Sequence, residues 1–117
     1  MIEITITGLR PASKKNNRRN FGRISLPSKA YERFHEDVAE FMLPFRYIHL
    51  TKPLRINVSY EIKGKYRQDL DNTLSSIFDC LTDYGIIEDD DLIQEITAKK
   101  KSGFKDWKIT IGLEELE

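Results

Sequence analysis

The 117 residues are enough for one domain with a single hydrophobic core and too few for two. Hydrophobic residues make up 39% of the chain and charged residues 32%, with only six Gly and four Pro, which is typical of a globular protein and excludes a disordered or fibrous one. The 19 basic and 19 acidic residues give a formal net charge of zero, so total charge alone argues against a nucleic-acid partner.

The sequence shows no targeting or membrane segment. Its start, MIEITITGLR, lacks a basic stretch followed by a long apolar one, and no apolar run approaches the roughly 18 residues that cross a bilayer. The single cysteine, Cys80, cannot form an intramolecular disulfide, which suits a reducing compartment. We therefore expect a cytoplasmic protein that is not secreted and does not enter a membrane.

The first part of the chain predicts a strand, a loop and a helix. Isoleucine alternates with Glu or Thr over residues 2–7, as in a half-buried strand. Residues 11–23, PASKKNNRRNFGR, show no apolar period of either kind and predict an exposed loop. A helix then begins near Ser28, a candidate N-cap, and stops at Pro44. Its apolar residues recur at steps of three and four: Tyr31, Phe34, Val38, Phe41 and Met42.

A second strand and a second helix follow. Residues 54–63 alternate strictly between apolar and polar side chains, which is the clearest strand pattern in the chain. The next segment carries an apolar stripe with helical spacing, and Gly85 is a natural end for that helix. The stripe consists of Leu74, Ile77, Phe78 and Leu81.

The last part of the chain predicts two strands. LIQEITAKK, residues 92–100, predicts the first of them, and Ser102 with Gly103 predicts a tight connection to the second. The final strand alternates apolar residues over 107–113. The order β-α-β-α-β-β predicts an α+β fold, with residues 1–117 forming one domain in which helices pack against a mixed β-sheet.

Charge is segregated along the chain. Residues 10–33 hold eight Lys or Arg against one acid, and residues 99–108 hold five lysines against one acid. Between them, residues 68–98 hold nine acids and no Lys or Arg. A solvated acidic surface with incidental basic loops is one interpretation of such blocks.

The segment RQDLDN, residues 67–72, places Asp69 and Asp71 two positions apart between the second strand and the second helix. Residues two apart in an extended segment point the same way, so these carboxylates would repel each other unless a cation offsets the repulsion. A helix cap at Asp71 or Asn72 is the simpler explanation. It leaves Asp69 unexplained, and also Asp79, which lies on the helix face opposite the apolar stripe. We therefore favour a metal site.

A second acid cluster, EDDD at residues 88–91, joins that site if the chain returns to the same edge of the sheet. Mg²⁺ prefers carboxylate oxygens and keeps several waters, so two or three acids are enough. A calcium loop is excluded, because Leu74 and Cys80 stand where it needs Gly and Glu. His35 and His49 have no second soft ligand nearby, so we expect them on the surface and expect no zinc or redox site. Without a glycine-rich phosphate loop, no nucleotide cofactor is expected.

These motifs resemble those of the RusA-type Holliday junction resolvases, small endodeoxyribonucleases of bacteria, phages and prophages. DLDN at residues 69–72, FD-x-L at 78–81 and G-x-x-x-DD at 85–90, with Ile93 shortly after, look like the family signature at the family spacing. A P-x-S…NNRR…GR stretch at residues 11–23 precedes the first helix, as it does in similar proteins.

The resemblance implies a Mg²⁺-dependent endodeoxyribonuclease that resolves four-way DNA junctions by paired nicking in recombination and repair. Asp69, Asp71 and Asp90 would be its metal-binding catalytic acids, with Mn²⁺ able to replace Mg²⁺. The bound ion would activate a water and neutralise charge on the scissile phosphate. Support would come from Asn72, Asp79, Asp89 and Lys100. Contacts to DNA would come from Lys14, Lys15, Asn16, Asn17, Arg18, Arg19, Arg23, Lys65, Arg67, Lys99 and Lys101. The two symmetric scissile phosphates of a four-way junction imply a homodimer.

One departure from the family pattern leaves other functions open. Family members commonly have a catalytic lysine one helical turn after the second aspartate, where this chain has Ser75. Serine cannot stabilise negative charge on the phosphate as lysine does. The candidate replacements are Lys65, Arg67, Lys99 and Lys100. Two alternatives therefore remain: a non-catalytic protein that binds branched DNA, and a metal nuclease that acts on flaps, forks or RNA.

Overall fold

The computed structural model describes residues 1–13, 19–21, 24–26 and 28–116. The strands are β1 (Ile2–Thr7), β2 (Arg19–Phe21), β3 (Ile24–Leu26), β4 (Leu54–Lys63), β5 (Ile93–Phe104) and β6 (Lys108–Glu115). The helices are α1 (Lys29–Asp37), α2 (Ala39–Met42) and α3 (Leu70–Asp83), with 3₁₀ turns at Leu43–Phe45 and Asp90–Leu92. No helix within the described ranges is long and apolar enough to cross a membrane.

The main sheet is mixed and has four strands in the order β1-β6-β4-β5. Strand β6 runs antiparallel to both β1 and β4, while β5 runs parallel to β4. A parallel pair needs a crossover connection, and α3 supplies it between β4 and β5. The prediction of an α+β fold with a mixed sheet and packed helices is confirmed.

The core lies between the helices and one face of this sheet. Every second residue of β4, from Leu54 to Ile62, is at most 2% exposed. These side chains form one apolar cluster with Ile77 and Leu81 of α3 and with Phe34 of α1. The intervening β4 residues are half-exposed, so the opposite face of the sheet is polar. A site built on α3 therefore lies on the side of the sheet that the helices cover.

Two predictions for the first part of the chain need revision. The predicted loop at residues 11–23 contains strand β2, which pairs with β3 as a short antiparallel hairpin, while residues 14–18, 22 and 23 lie outside the described residues. Three-residue strands are too short to show an apolar period. The predicted helix is interrupted at Val38 and continues as α2. Ser28 does cap α1, because its Oγ accepts from the N–H of Tyr31 at 3.1 Å.

The predicted tight connection at Ser102 and Gly103 is wrong, because both residues lie inside β5. Ile62 pairs with Ser102 and Lys63 pairs with Phe104, which leaves Gly103 as an extra, bulged residue. Its φ of +97° is readily adopted only by glycine. Strand β5 therefore continues past the predicted turn, and β4 separates it from β6 in the sheet.

Candidate active site

The connection between β4 and α3 is held in place by contacts from distant parts of the chain. Arg10 donates from Nη2 to the carbonyl oxygen of Arg67 at 2.9 Å. The buried Gln68 side chain donates from Nε2 to the carbonyl oxygen of Pro11, also at 2.9 Å. From the edge of the sheet, Lys100 Nζ donates to the carbonyl oxygen of Gln68 at 2.6 Å. The residues immediately before Asp69 are thus tied to both the N-terminal segment and β5.

Asp69 occupies the N-cap position of α3, with φ −81° and ψ 117°. Its Oδ2 accepts from the side-chain Nδ2 of Asn72 at 2.6 Å, and its carbonyl oxygen accepts from the Thr73 hydroxyl at 2.7 Å. Asp71 lies in the first turn of the helix. The alternative explanation, a cap at Asp71 or Asn72, is therefore wrong, and so is the prediction that Asp69 and Asp71 lie in one extended segment.

The two carboxyl groups are nevertheless adjacent. A hydrogen bond with the Asp71 carboxyl is the largest cause of a pKa of Asp69 below its ordinary value. Hydrogen bonds from Asn72 and the positive charge of Lys100 act in the same direction. Asp69 is therefore ionised at neutral pH and exposed to solvent, as a metal-binding carboxylate must be.

Thr73 directs its hydroxyl to two backbone carbonyls, that of Asp69 and, at 3.2 Å, that of Leu70. The nearby Tyr60 hydroxyl is buried and has no hydrogen-bond partner among the described residues. Burial, partly offset by the nearby Thr73, raises the pKa of Tyr60 to about 12. Tyr60 is therefore a neutral phenol at physiological pH.

The second acid cluster surrounds the 3₁₀ turn at Asp90–Leu92. Asp89 caps this turn, its Oδ1 accepting from the N–H of Asp91 at 3.2 Å. A hydrogen bond with Asp89 and partial burial raise the pKa of Asp90, and the negative charges of Asp89, Asp79 and Asp91 raise it further. The N–H of Asp91 and the side chain of Asp90 lower the pKa of Asp89. Asp79, from α3, thus belongs to the same group of charges as Asp90.

The predicted acids lie in two groups. Asp69 and Asp71 are at the N-terminus of α3, and Asp90 is near Asp89 and Asp79. Asp79 lies eight positions after Asp71 along α3, which is a rise of roughly 12 Å. Among the residues described here, no three His, Cys, Asp or Glu side chains are placed to hold a metal ion together. The Asp69–Asp71 pair does fit Mg²⁺, which takes one or two carboxylates and completes its shell with water and substrate phosphate.

The two histidines that were predicted to lie on the surface differ in their exposure. His49 is exposed, and its Nδ1 contacts the carbonyl oxygen of Gly85 at 2.8 Å. His35 is only half-exposed, because its Nε2 contacts Asp83 Oδ2 at 2.9 Å and its ring stacks on Tyr84 with 5.1 Å between centroids. Asp83 is thus bound to α1 and is not free to join the acid cluster.

Two clefts flank Asp69. One, of about 670 Å³, is lined by Lys65, Arg67, Asp69 and Lys100 among others. The second, of about 510 Å³, lies between the N-terminal segment and α1 and adds Arg10 and Arg33 to its walls. Both arginines belong to the basic segment at residues 10–33, but the cleft they share with Asp69 depends on long-range packing that no local spacing shows.

The family model of endodeoxyribonuclease RusA matches residues 8–114 of this chain. The chain belongs to the RusA endodeoxyribonuclease family. The crossover junction endodeoxyribonuclease RusA of Escherichia coli O139:H28 (strain E24377A / ETEC) is 27% identical to it over 107 residues, which cover 91% of this chain and 88% of that protein. The predicted resemblance is thus confirmed, and the match includes both acid clusters and the lysines of β5.

The predicted DNA contacts of this RusA-family chain fall into three sets. Lys65 and Arg67 line the cleft beside Asp69, whereas Lys99 and Lys101 alternate with Lys100 along β5 and lie on the opposite face of the sheet. The structure therefore does not bring Lys99 and Lys101 to the acids. The remaining predicted contacts, Lys14, Lys15, Asn16, Asn17, Arg18 and Arg23, lie outside the described residues, and only the backbone of Arg19 is described.

In this RusA-family protein the Ser75 side chain forms a hydrogen bond within its own helix. Its hydroxyl donates to the carbonyl oxygen of Asn72 at 3.1 Å, so it contributes no charge and no free donor to the cleft. Of the four candidate replacements for the family lysine, Lys100 is the one whose charge acts on Asp69. The cation beside the acids therefore comes from β5 and not from α3.

Proposed function

We propose that this RusA-family protein is a Mg²⁺-dependent endodeoxyribonuclease that resolves four-way DNA junctions by paired nicking in recombination or repair. The observation that carries the proposal is the pairing of the Asp69 and Asp71 carboxyl groups beside the Lys100 ammonium, at the edge of an open cleft. Asp69 and Asp71 would hold a divalent ion there, which would activate a water and neutralise charge on the phosphodiester.

The neighbouring residues prepare Asp69 for this role. The Asn72 amide holds one of its carboxylate oxygens, and Gln68, itself anchored to Pro11 and Lys100, fixes the backbone before it. Such contacts hold a ligand in one orientation, which raises metal affinity. The positive end of the α3 dipole also favours negative charge at Asp69, Asp71 and an incoming phosphate.

Lys100 takes the role that the family gives to the lysine one turn after the second aspartate. Its ammonium group lies beside the carboxylates, on the cleft that Lys65 and Arg67 also line. A fixed cation there stabilises the charge that develops on the phosphate or on the leaving oxygen. Lys65 and Arg67 bind the flanking phosphates, which positions the DNA backbone without reading its sequence.

Asp90 is the third acid of the proposal, with Asp79 and Asp89 in support. Its raised pKa makes it a carboxyl group that readily keeps a proton, which suits a general acid, and it would have to lose that proton to bind the ion. Sharing one ion with Asp69 and Asp71 requires the turn at Asp90–Leu92 to approach the N-terminus of α3. A divalent ion bound between the two acid groups would favour that approach, because its positive charge offsets their repulsion.

The test is cleavage of a synthetic four-way junction in Mg²⁺ by the wild type and by Asp71→Asn. We expect the variant to lose at least about 100-fold in rate and to bind the junction as well as the wild type or better, because one repulsive charge is removed. Glu3→Gln, on the far edge strand, is the control and should cut normally. A full rate in Asp71→Asn would end the proposal, since Asp71 would then have no part in the chemistry.

A non-catalytic protein that binds branched DNA is the second candidate, and the uncharged Ser75 is the observation that favours it. Such a protein would bind the junction in EDTA and show no nicking with Mg²⁺ or Mn²⁺. Flap, fork and RNA substrates in the same assay identify a nuclease of different substrate preference. The substrate panel therefore separates the three functions.

A further inference from the structure

The polar face of the main sheet, which lies away from the helices, carries a row of hydrogen-bond donors across all four strands. Lys99 of β5 pairs with Ser59 of β4, which pairs with Thr110 of β6. Thr110 pairs in turn with Thr5 of β1. Residues that are paired across strands share a face of the sheet, so one ammonium group and three hydroxyls stand in line. Each of these side chains is exposed or half-exposed.

The next row, towards the end of β4, adds positive charge to the polar face. Lys101 of β5 pairs with Glu61 of β4, which pairs with Lys108 of β6. Lys108 Nζ lies 3.9 Å from Glu61 Oε2, so this carboxylate offsets one of the two lysines and the row remains positive. Lys99 and Lys101 are two residues apart on β5, and their side chains therefore emerge roughly 7 Å apart on the same face.

Phe104 adds an aromatic ring to this cationic surface. It pairs with Lys63 at the end of β4, is half-exposed, and is not among the described apolar residues that pack against the core. Together with Lys99, Lys101 and Thr110 it lines a cleft of about 540 Å³. A cationic groove with an accessible ring is the combination that binds single-stranded nucleic acid, because lysines contact the phosphates and bases stack on the ring.

We propose that the polar face binds an unpaired DNA strand, with a base stacked on Phe104 and phosphates against Lys99 and Lys101. Ser59 and Thr110 donate to further phosphate or sugar oxygens, as hydroxyl side chains do in DNA complexes. The inference rests on the proposed function, because a nuclease of branched DNA meets strands that leave the duplex at the branch point. It also gives a role to the two lysines that point away from the acids.

The polar face meets the cleft beside the acids at the end of β4. Ile62 and Lys65 line the cleft beside the acids, whereas Glu61 lines the cleft that holds Phe104. Lys63 lies between them in the chain and is exposed. A DNA strand that leaves the acids at this end therefore reaches Phe104 around the end of β4 without crossing the sheet.

The affinity for a fluorescent single-stranded oligothymidylate, measured by anisotropy in EDTA, tests the aromatic contact. Phe104→Leu keeps an apolar side chain but removes the ring, so its dissociation constant should rise about tenfold, while Phe104→Tyr should stay within about twofold of the wild type. Tyr47→Leu removes a ring that is 82% exposed elsewhere on the protein and is the matched control. Equal affinities of the wild type and Phe104→Leu overturn the proposal.

Salt dependence tests the lysines independently of the ring. Each phosphate contact to a single strand adds about 0.7 to the slope of log affinity against log salt, so Lys99→Gln combined with Lys101→Gln should lower that slope by about 1.4. Phe104→Leu should leave the slope unchanged, and Lys52→Gln, at an exposed lysine elsewhere, is the matched control.

Two results of these titrations refute the site. One is an unchanged slope in the double lysine variant. The other is equal displacement of the oligonucleotide by poly-glutamate from the wild type and from Phe104→Leu, which indicates a general surface for acidic chains. Because the titrations contain no metal and involve no cleavage, their failure leaves the nuclease proposal untouched, and that proposal is tested separately by junction cleavage.

Discussion

Replacing Lys100 by methionine removes the charge beside Asp69 while keeping most of the side-chain volume. The ammonium donates to the carbonyl oxygen of Gln68 at 2.6 Å and lines the same cleft as Asp69. A phosphate about 5 Å from that charge, at an effective dielectric constant of about 20, interacts with it by roughly 3 kcal/mol. If that interaction forms only in the transition state, its loss slows cleavage about 100-fold.

The assay is single-turnover cleavage of a four-way junction at saturating protein, with junction affinity and melting temperature measured on the same samples. Lys100→Arg keeps the charge and should stay within about tenfold of the wild-type rate. Lys52→Met, an exposed lysine far from the cleft, is the matched control. Ser75→Lys in the Lys100→Met background returns a cation to the cleft and should recover about tenfold or more. An unchanged rate in Lys100→Met, with folding intact, would refute the reasoning.

Three further predictions concern stability. Tyr60→Phe removes a buried hydroxyl without a hydrogen-bond partner among the described residues, so urea titration should show a gain of about 1 kcal/mol in unfolding free energy, and a loss would show that the hydroxyl is satisfied. Burial raises the pKa of Cys80 to about 12, so above pH 9 the thiol ionises only in the unfolded chain and stability falls as pH rises. Between pH 9 and 10.5 the wild type should lose about 2 kcal/mol more than Cys80→Ala, and parallel losses would contradict this. Asp90→Asn removes repulsion from the acid cluster, so its melting temperature should rise by about 2–4 °C in metal-free buffer, and a decrease would contradict the raised pKa of Asp90.

The elements that sequence predicted correctly are those with local causes. The alternation of β4, the apolar stripe of α3 and the cap at Ser28 each depend on residues that are neighbours in the chain. The extent of β5 did not follow from such signals, because Ser102 and Gly103 are typical turn residues, and only pairing with β4 shows that the strand continues. Sheet pairing therefore overrode a local turn signal.

The candidate site likewise has features that local sequence predicts and features that depend on long-range pairing. The nearness of Asp69 and Asp71 follows from two-residue spacing, although the backbone that achieves it is a helix start and not a strand end. The separation of Asp90 from that pair depends on where the chain between α3 and β5 runs, which spacing does not encode. The approach of Lys100 to Asp69 requires the register in which Tyr60 pairs with Lys100. The acidic residues indicated a metal site from sequence alone, whereas the pairing of β4 with β5 determined that Lys100 is the cation beside Asp69.

The three consecutive lysines of β5 make the position of that cation tolerant of change. Sliding a strand by one residue turns every side chain to the other face, which would normally remove a functional group from its site. Here Lys99 or Lys101 would replace Lys100 beside Asp69 after a slip in either direction. A one-residue insertion or deletion in β5 before these lysines would therefore still place a positive charge beside the acids.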